Sequence, residues 1–137
     1  MITLSERVLS DSALSDSIIF RGVRKAMTFI NSDIIRGHLD AIILRLIYEK
    51  DTYGYEISNE IATRTNNQFE IKEATLYAVF QRLVKRGLID SYLGDVSLGS
   101  RRRYYRITEA GRDYLKDEIR TWQNAREIID IFMEDLK

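Results

Sequence analysis

Two hydrophobic periods meet in residues 72–108, KEATLYAVFQRLVKRGLIDSYLGDVSLGSRRRYYRIT. In its first half Leu76, Phe80, Leu83 and Val84 recur at three and four, the spacing that lines up one face of a helix. Gly87 follows, where a helix end favours a residue able to turn left-handed. Beyond it the period drops to two: Ile89, Ser91 and Leu93 alternate, a turn-rich run spans Gly94 to Ser100, and Arg103, Tyr105 and Ile107 alternate against Arg102, Tyr104 and Arg106. That pattern predicts a helix followed by a two-stranded hairpin.

Working outward, Asp51-Thr52 restarts the chain into Tyr53, Ile57 and Ile61, a shorter amphipathic helix that ends in a polar turn between Arg64 and Asn67. Upstream, Ile35, Leu39, Ile42, Ile43, Leu46 and Ile47 predict one continuous helix behind a Ser32 or Asp33 cap. Downstream, Thr108 caps a last helix running to the end of the chain, with Leu115, Ile119, Trp122, Ile129, Met133 and Leu136 spaced near 3.5 and only Arg126 breaking the seam. Such a helix would be ~42 Å long at ~1.5 Å per residue, more than a domain this size needs to cover its own core, so its seam is expected to pack on another chain. Residues 1–26 are Ser-rich and mixed in charge, and Leu4, Val8, Leu14, Ile18 and Val23 form no clear stripe. The expected fold is mainly α with a small β-hairpin, a winged helix-turn-helix. The expected division is an N-terminal extension of unassigned role at 1–26, a winged helix-turn-helix at 27–108 and a C-terminal dimerisation helix at 109–137.

The chain has 137 residues, 45% of them apolar, enough for one domain with a core. Lysine and arginine balance aspartate and glutamate at 21 each, so whole-chain charge names no partner. There is no cysteine, which excludes disulfides, thiolate nucleophiles and thiolate zinc sites. One histidine, His38, leaves almost no metal or general-base repertoire, and no nucleotide-binding loop is present. No enzyme, catalytic residue, metal or cofactor is therefore expected. Apolar runs fall short of a membrane span, and a cytoplasmic location away from membranes is expected.

Local charge is more informative. Residues 72–106 carry eight lysines and arginines against three acids. In a winged helix the third helix enters the major groove and the hairpin lies along the neighbouring backbone. On this third helix Thr75, Ala78, Arg82 and Lys85 share one face, with Lys72 just ahead of it. Taken alone, such a face is more often a solvated one than a reader. Tyr77 can pack its ring and still point a hydroxyl at phosphate. Arg101, Arg102 and Arg103 crowd like charge on or beside one turn, which costs repulsion unless an anion answers it. Double-stranded DNA is the expected anion. His38 shares a side with Ile34, Ala41 and Arg45 and reads as an interface or half-exposed residue. Trp122 reads either as dimer core or as half of an aromatic sandwich around a flat molecule.

Residues 27–137 resemble the PadR-type regulators. The resemblance is carried by Asp33-Ile34-Ile35-Arg36-Gly37-His38-Leu39-Asp40, Tyr53-Gly54-Tyr55-Glu56-Ile57, Glu73-Ala74-Thr75-Leu76-Tyr77 and the run Arg101 to Gly111 leaving the wing. It implies a homodimer whose first and last helices build the interface, and a repressor that leaves a palindromic operator when a small aromatic or cationic effector binds. It also implies an effector pocket at Trp122, flanked by Ile34, Gly37, Ala41 and Ile119. Two departures stand out. Ala78 occupies a position commonly proline, which leaves the helix intact. Arg126 stands where an acidic residue is expected, which favours an anionic or neutral effector. Residues 1–26 have no counterpart in the pattern. The alternative function is a winged-helix adaptor that binds proteins without specific DNA binding.

Overall fold

The structure, a computed structural model, describes residues 32–97 and 100–136; the extension read at 1–26 lies outside them. Element order is α1 (Ser32–Arg36), α2 (Leu39–Glu49), α3 (Gly54–Arg64), α4 (Glu73–Lys85), β1 (Ile89–Ser97), β2 (Ser100–Ile107) and α5 (Glu109–Phe132). The first predicted helix is thus two. At Gly37-His38 the chain leaves helical geometry: His38 sits at φ −115°, ψ 8°, and its N–H bonds the Ile35 carbonyl three residues back at 2.9 Å. Glycine is the weakest ordinary helix former and sits at the break. The apolar stripe continues across it, with Leu39, Ile43, Leu46 and Ile47 buried and Ile35 and Ile42 packed against them.

α3 buries Ile57 and Ile61 and unwinds where the polar turn was expected. Asn66 and Asn67 take positive φ of 51° and 62°, which asparagine tolerates better than most residues. Thr65 fastens this turn: its hydroxyl donates to the Ile61 carbonyl at 2.8 Å and accepts from the Phe69 N–H at 3.2 Å.

α4 buries Leu76, Val79, Phe80 and Leu83. Val84, read as part of that face, is 44% exposed. At about 100° per residue Val84 lies about 80° from Leu76, at the margin, whereas Val79 falls inside the buried arc. The helix ends at Gly87, φ 75°, with the Leu88 N–H bonding the Leu83 carbonyl and the Gly87 N–H bonding that of Val84, both at 2.9 Å.

β1 and β2 pair antiparallel, Ile89 opposite Ile107 and Tyr92 opposite Tyr104, with a register shift between Leu93 and Val96. The strands run further than the alternation predicted, out to Ser97 and Ser100. Arg101 therefore joins Arg102 and Arg103 within β2, beside the turn; residues 98 and 99 lie outside the described ones. Thr52 adds to the free edge of β2 by exchanging backbone hydrogen bonds with Tyr105 at 3.2 and 2.8 Å. This ties the loop before α3 to the wing.

Thr108 caps α5 as read, its hydroxyl accepting the Gly111 N–H at 3.0 Å. The helix spans 24 residues and stops at Phe132, short of the chain end. Gly111 lies against the Leu88 carbonyl, where a side chain would collide. Leu115 reaches the core formed by Ile43, Ile47, Ile57, Phe80 and Ile89, each such buried side chain contributing about 1.5–3 kcal/mol. Past Ile119 the helix leaves that core. At the other end of α2, Arg64 hydrogen-bonds both Glu49 and Glu60, and with Arg45 it holds the Glu49 carboxyl down to about 2.

Candidate nucleic-acid interface

The residues read as DNA contacts fall on α4 and β2. On α4, Lys72 precedes the first turn, Ala78 and Lys85 are exposed, and Thr75 is half-buried. Tyr77 sets its ring edge-on against Phe80 at 5.7 Å and leaves nearly half its surface in solvent. Its hydroxyl lies beside Gly54, where an added Cβ would come within 3.4 Å of it. Arg82 is engaged rather than free. Its guanidinium donates to Asp40 of α2 through Nη2 at 2.7 Å and Nε at 3.3 Å, and Arg86 approaches the same carboxylate at 3.6 Å.

Alternation along β2 separates the three wing arginines, which relieves the crowding expected of them. Arg103 donates to the Ser91 hydroxyl at 3.0 Å. Arg102 turns to the other face and sets its guanidinium 4.6 Å from the centre of the Tyr53 ring. Tyr53 packs edge-on against Tyr104 at 5.3 Å, Tyr104 stacks on Tyr92 at 5.6 Å, and Arg106 lies 5.0 Å from the Tyr92 ring. The Tyr92 hydroxyl donates to Asp51 at 2.6 Å, and that bond to a carboxylate raises its pKa. Arg102 and Arg106 are thus held by an aromatic ladder. Sequence reading missed Tyr53, Tyr92, Tyr104 and Arg106 as one unit. The alternation of Arg102, Tyr104 and Arg106 was its visible part, while Tyr53 joins only because Thr52 pairs with Tyr105.

Between the start of α3, the first turns of α4 and β2 lies a cleft of about 250 Å³ bordered by Tyr55, Tyr77, Arg102 and Arg103 over Tyr105. A second, mostly apolar groove of about 530 Å³ runs between α1, α2, the end of α3 and α5. Ile34, Ala41, Ile119 and Trp122 line it; Gly37 does not. His38 enters it as well, its ring edge-on to Trp122 at 5.0 Å, and Glu118 and Arg126 stand among its polar members. Among the described residues no cluster of three or more histidines and carboxylates could hold a metal. None of their helices is long and apolar enough to cross a membrane.

Residues 43–117 match the model of the Transcriptional regulator PadR-like family. The chain belongs to that family. A PadR-like member is a transcription regulator rather than an enzyme, and the α4 and hairpin arrangement is its winged helix. An uncharacterized protein of Lysinibacillus sphaericus is 65% identical over 108 residues, 79% of this chain and 99% of that one. Among solved structures, a transcriptional regulator from Clostridium thermocellum is 46% identical, covering 77% of this chain and all of that one at a TM-score of 0.72. A PadR family transcription regulator from Clostridium difficile R20291 is 33% identical over 71% of this chain and 99% of that one, with a TM-score of 0.62. The PadR-like match runs from α2 to mid-α5, so it includes the basic face and stops before Trp122.

Proposed function

We propose that this PadR-like regulator is a cytoplasmic, homodimeric repressor that binds a palindromic operator sequence-specifically and releases it in response to a small aromatic effector. The carrying observation is that Tyr77 on the third winged-helix helix and Arg102 and Arg103 on the wing border one cleft, so helix and wing open onto one volume that the wing arginines make basic. In this reading Lys72, Thr75, Tyr77, Ala78 and Lys85 meet the groove and its flanking phosphates. Arg101, Arg102 and Arg103 hold the neighbouring backbone. Arg82 must exchange Asp40 for DNA to take part.

Dimerisation is supported by the far end of α5, where Ile128, Ile131, Phe132 and Met133 are all largely exposed, Phe132 at 78%. A helix end this apolar is stabilised by covering it. Effector binding is supported by the groove at Trp122, in which Ile34, Ala41 and Ile119 supply apolar walls. Arg126 supports an anionic or neutral compound. The proposed division of labour assigns residues 27–108 to DNA and 109–137 to dimerisation.

Footprinting of the protein on the DNA upstream of its own gene tests this reading. Two protected half-sites about 10 base pairs apart, with two protomers per duplex, are expected. A monomer on a single unrepeated site overturns the dimeric-repressor reading, and binding no better than nonspecific competitor replaces it with the adaptor.

A further inference from the structure

The geometry points to a clamp for one DNA backbone phosphate in the cleft between α3, α4 and β2, with Tyr55 of α3 and Arg102 of β2 as its two principal contacts. The inference rests on the DNA-binding reading above and extends it to α3, to which no contact has been assigned.

The cleft measures about 250 Å³, and the polar side chains among its lining residues are those of Tyr53, Tyr55, Tyr77, Tyr105, Arg102 and Arg103. Among the described residues no carboxylate lines it. A guanidinium only donates and a phenol can donate, whereas a phosphodiester only accepts, so donors face acceptors throughout. Glu56 is already held by the Thr52 hydroxyl at 2.6 Å and the Lys50 ammonium at 2.9 Å, which lower its pKa first, with Arg102 the least of the contributors. It leaves Arg102 available.

Arg102 is also oriented in advance. Its stacking on Tyr53 removes side-chain freedom that binding would otherwise have to freeze, and Tyr53 is fixed in turn by Tyr104. Tyr53 is in this respect a positioning residue. Tyr55 is 71% exposed on a helix whose buried residues are Ile57 and Ile61, so packing of α3 does not account for it. Its place in the cleft does. The Tyr77 hydroxyl lies beside Gly54, and Gly54, Tyr55 and Tyr77 all border the same cleft.

The test is a double-mutant cycle on the full chain, read by fluorescence anisotropy at two salt concentrations. The probes are a duplex from the DNA upstream of its own gene and a scrambled duplex of equal length. Tyr55→Phe should weaken both duplexes about five-fold without changing the salt slope. Arg102→Gln should weaken both about 20-fold and reduce the slope by about 0.9. The double variant should bind within about twofold of Arg102→Gln alone, because two contacts to one phosphate are lost together. Should Arg102→Gln fail to fold, Arg102→Lys retains the charge without the fork and completes the cycle. Losses that multiply, or a Tyr55→Phe protein equal to wild type, overturn the clamp while leaving DNA binding intact. Wild type binding neither duplex above competitor is a separate result, which removes the DNA-binding reading and the clamp with it.

Discussion

Asp40, in the first turn of α2, accepts hydrogen bonds from both Nη2 and Nε of Arg82 on α4, at 2.7 and 3.3 Å. The pairing joins residues 42 positions apart and fixes the third winged-helix helix to the helix that borders the Trp122 groove. It also occupies a cation that the sequence offered to DNA. Arg82 has more than half of its side chain in solvent, so the pair is screened and exchange with phosphate is accessible.

Replacing Asp40 by Asn should therefore cost little stability, about 0.5 kcal/mol, and strengthen binding to scrambled DNA while steepening its salt slope by about 0.9. Urea melts and anisotropy titrations read the two effects. A variant with wild-type affinity and slope would mean Arg82 plays no part at the DNA surface. Arg82→Ala should shift base preference, whereas Arg102→Ala with Arg103→Ala should weaken every sequence alike; equal losses on all sequences for both would defeat that division.

Gly87 stands at φ 75° with nothing within 4 Å of a Cβ placed on it. Gly87→Ala should thus destabilise through backbone strain alone, by about 1 kcal/mol or about 4–8 °C in Tm, with Gly87→Asn recovering part of the loss. Calorimetry on the three proteins checks this, and an unchanged Tm in the alanine variant contradicts it.

Glu49 links α2 to α3 through Arg64 and is held as well by Arg45 of its own helix, and its carboxyl pKa is lowered from 4.5 to about 2 by the Arg64 hydrogen bond first. A lowered folded pKa contributes stability above the unfolded value, and that contribution fades as pH falls from about 4.5 toward 2. Solvent screening keeps it at about 1 kcal/mol. Glu49→Gln should melt a few degrees below wild type at pH 7, with the gap more than halved at pH 3. A gap that stays constant between these values would show the pair contributes nothing electrostatic.

Much of the architecture was legible because backbone geometry dictates it. The switch from a period near 3.6 to a period of two across Gly87 separates α4 from the hairpin, and Thr108 marks the start of α5. The break at Gly37-His38 was hidden because the apolar stripe continues across it. Val84 was preferred to Val79 because spacings of three and four admit either margin of a helical face. Arg102 and Arg103 were read within the second strand, but the strand ends were read short and Arg101 left outside, because Gly94 and Asp95 resemble a turn yet fall at a register shift within the hairpin. Partners distant in sequence left no local trace: Thr52 on Tyr105, Tyr53 under Arg102, Asp40 with Arg82. Four of the five groove residues named from the resemblance do line one volume, with Gly37 outside it.

The exposed apolar end of α5 gives its own expectation. Phe132→Asp together with Ile128→Asp should yield a monomer by sedimentation while leaving the far-ultraviolet spectrum unchanged, because neither side chain belongs to the core. Retained dimer would place the interface elsewhere.

Titration of the purified protein with the DNA upstream of its own gene, at two salt concentrations and in excess nonspecific competitor, bears on the whole scheme. A basic helix and wing acting together as a sequence-specific reader require tight binding that survives competitor and weakens as salt rises. Binding no tighter than to competitor would contradict that scheme.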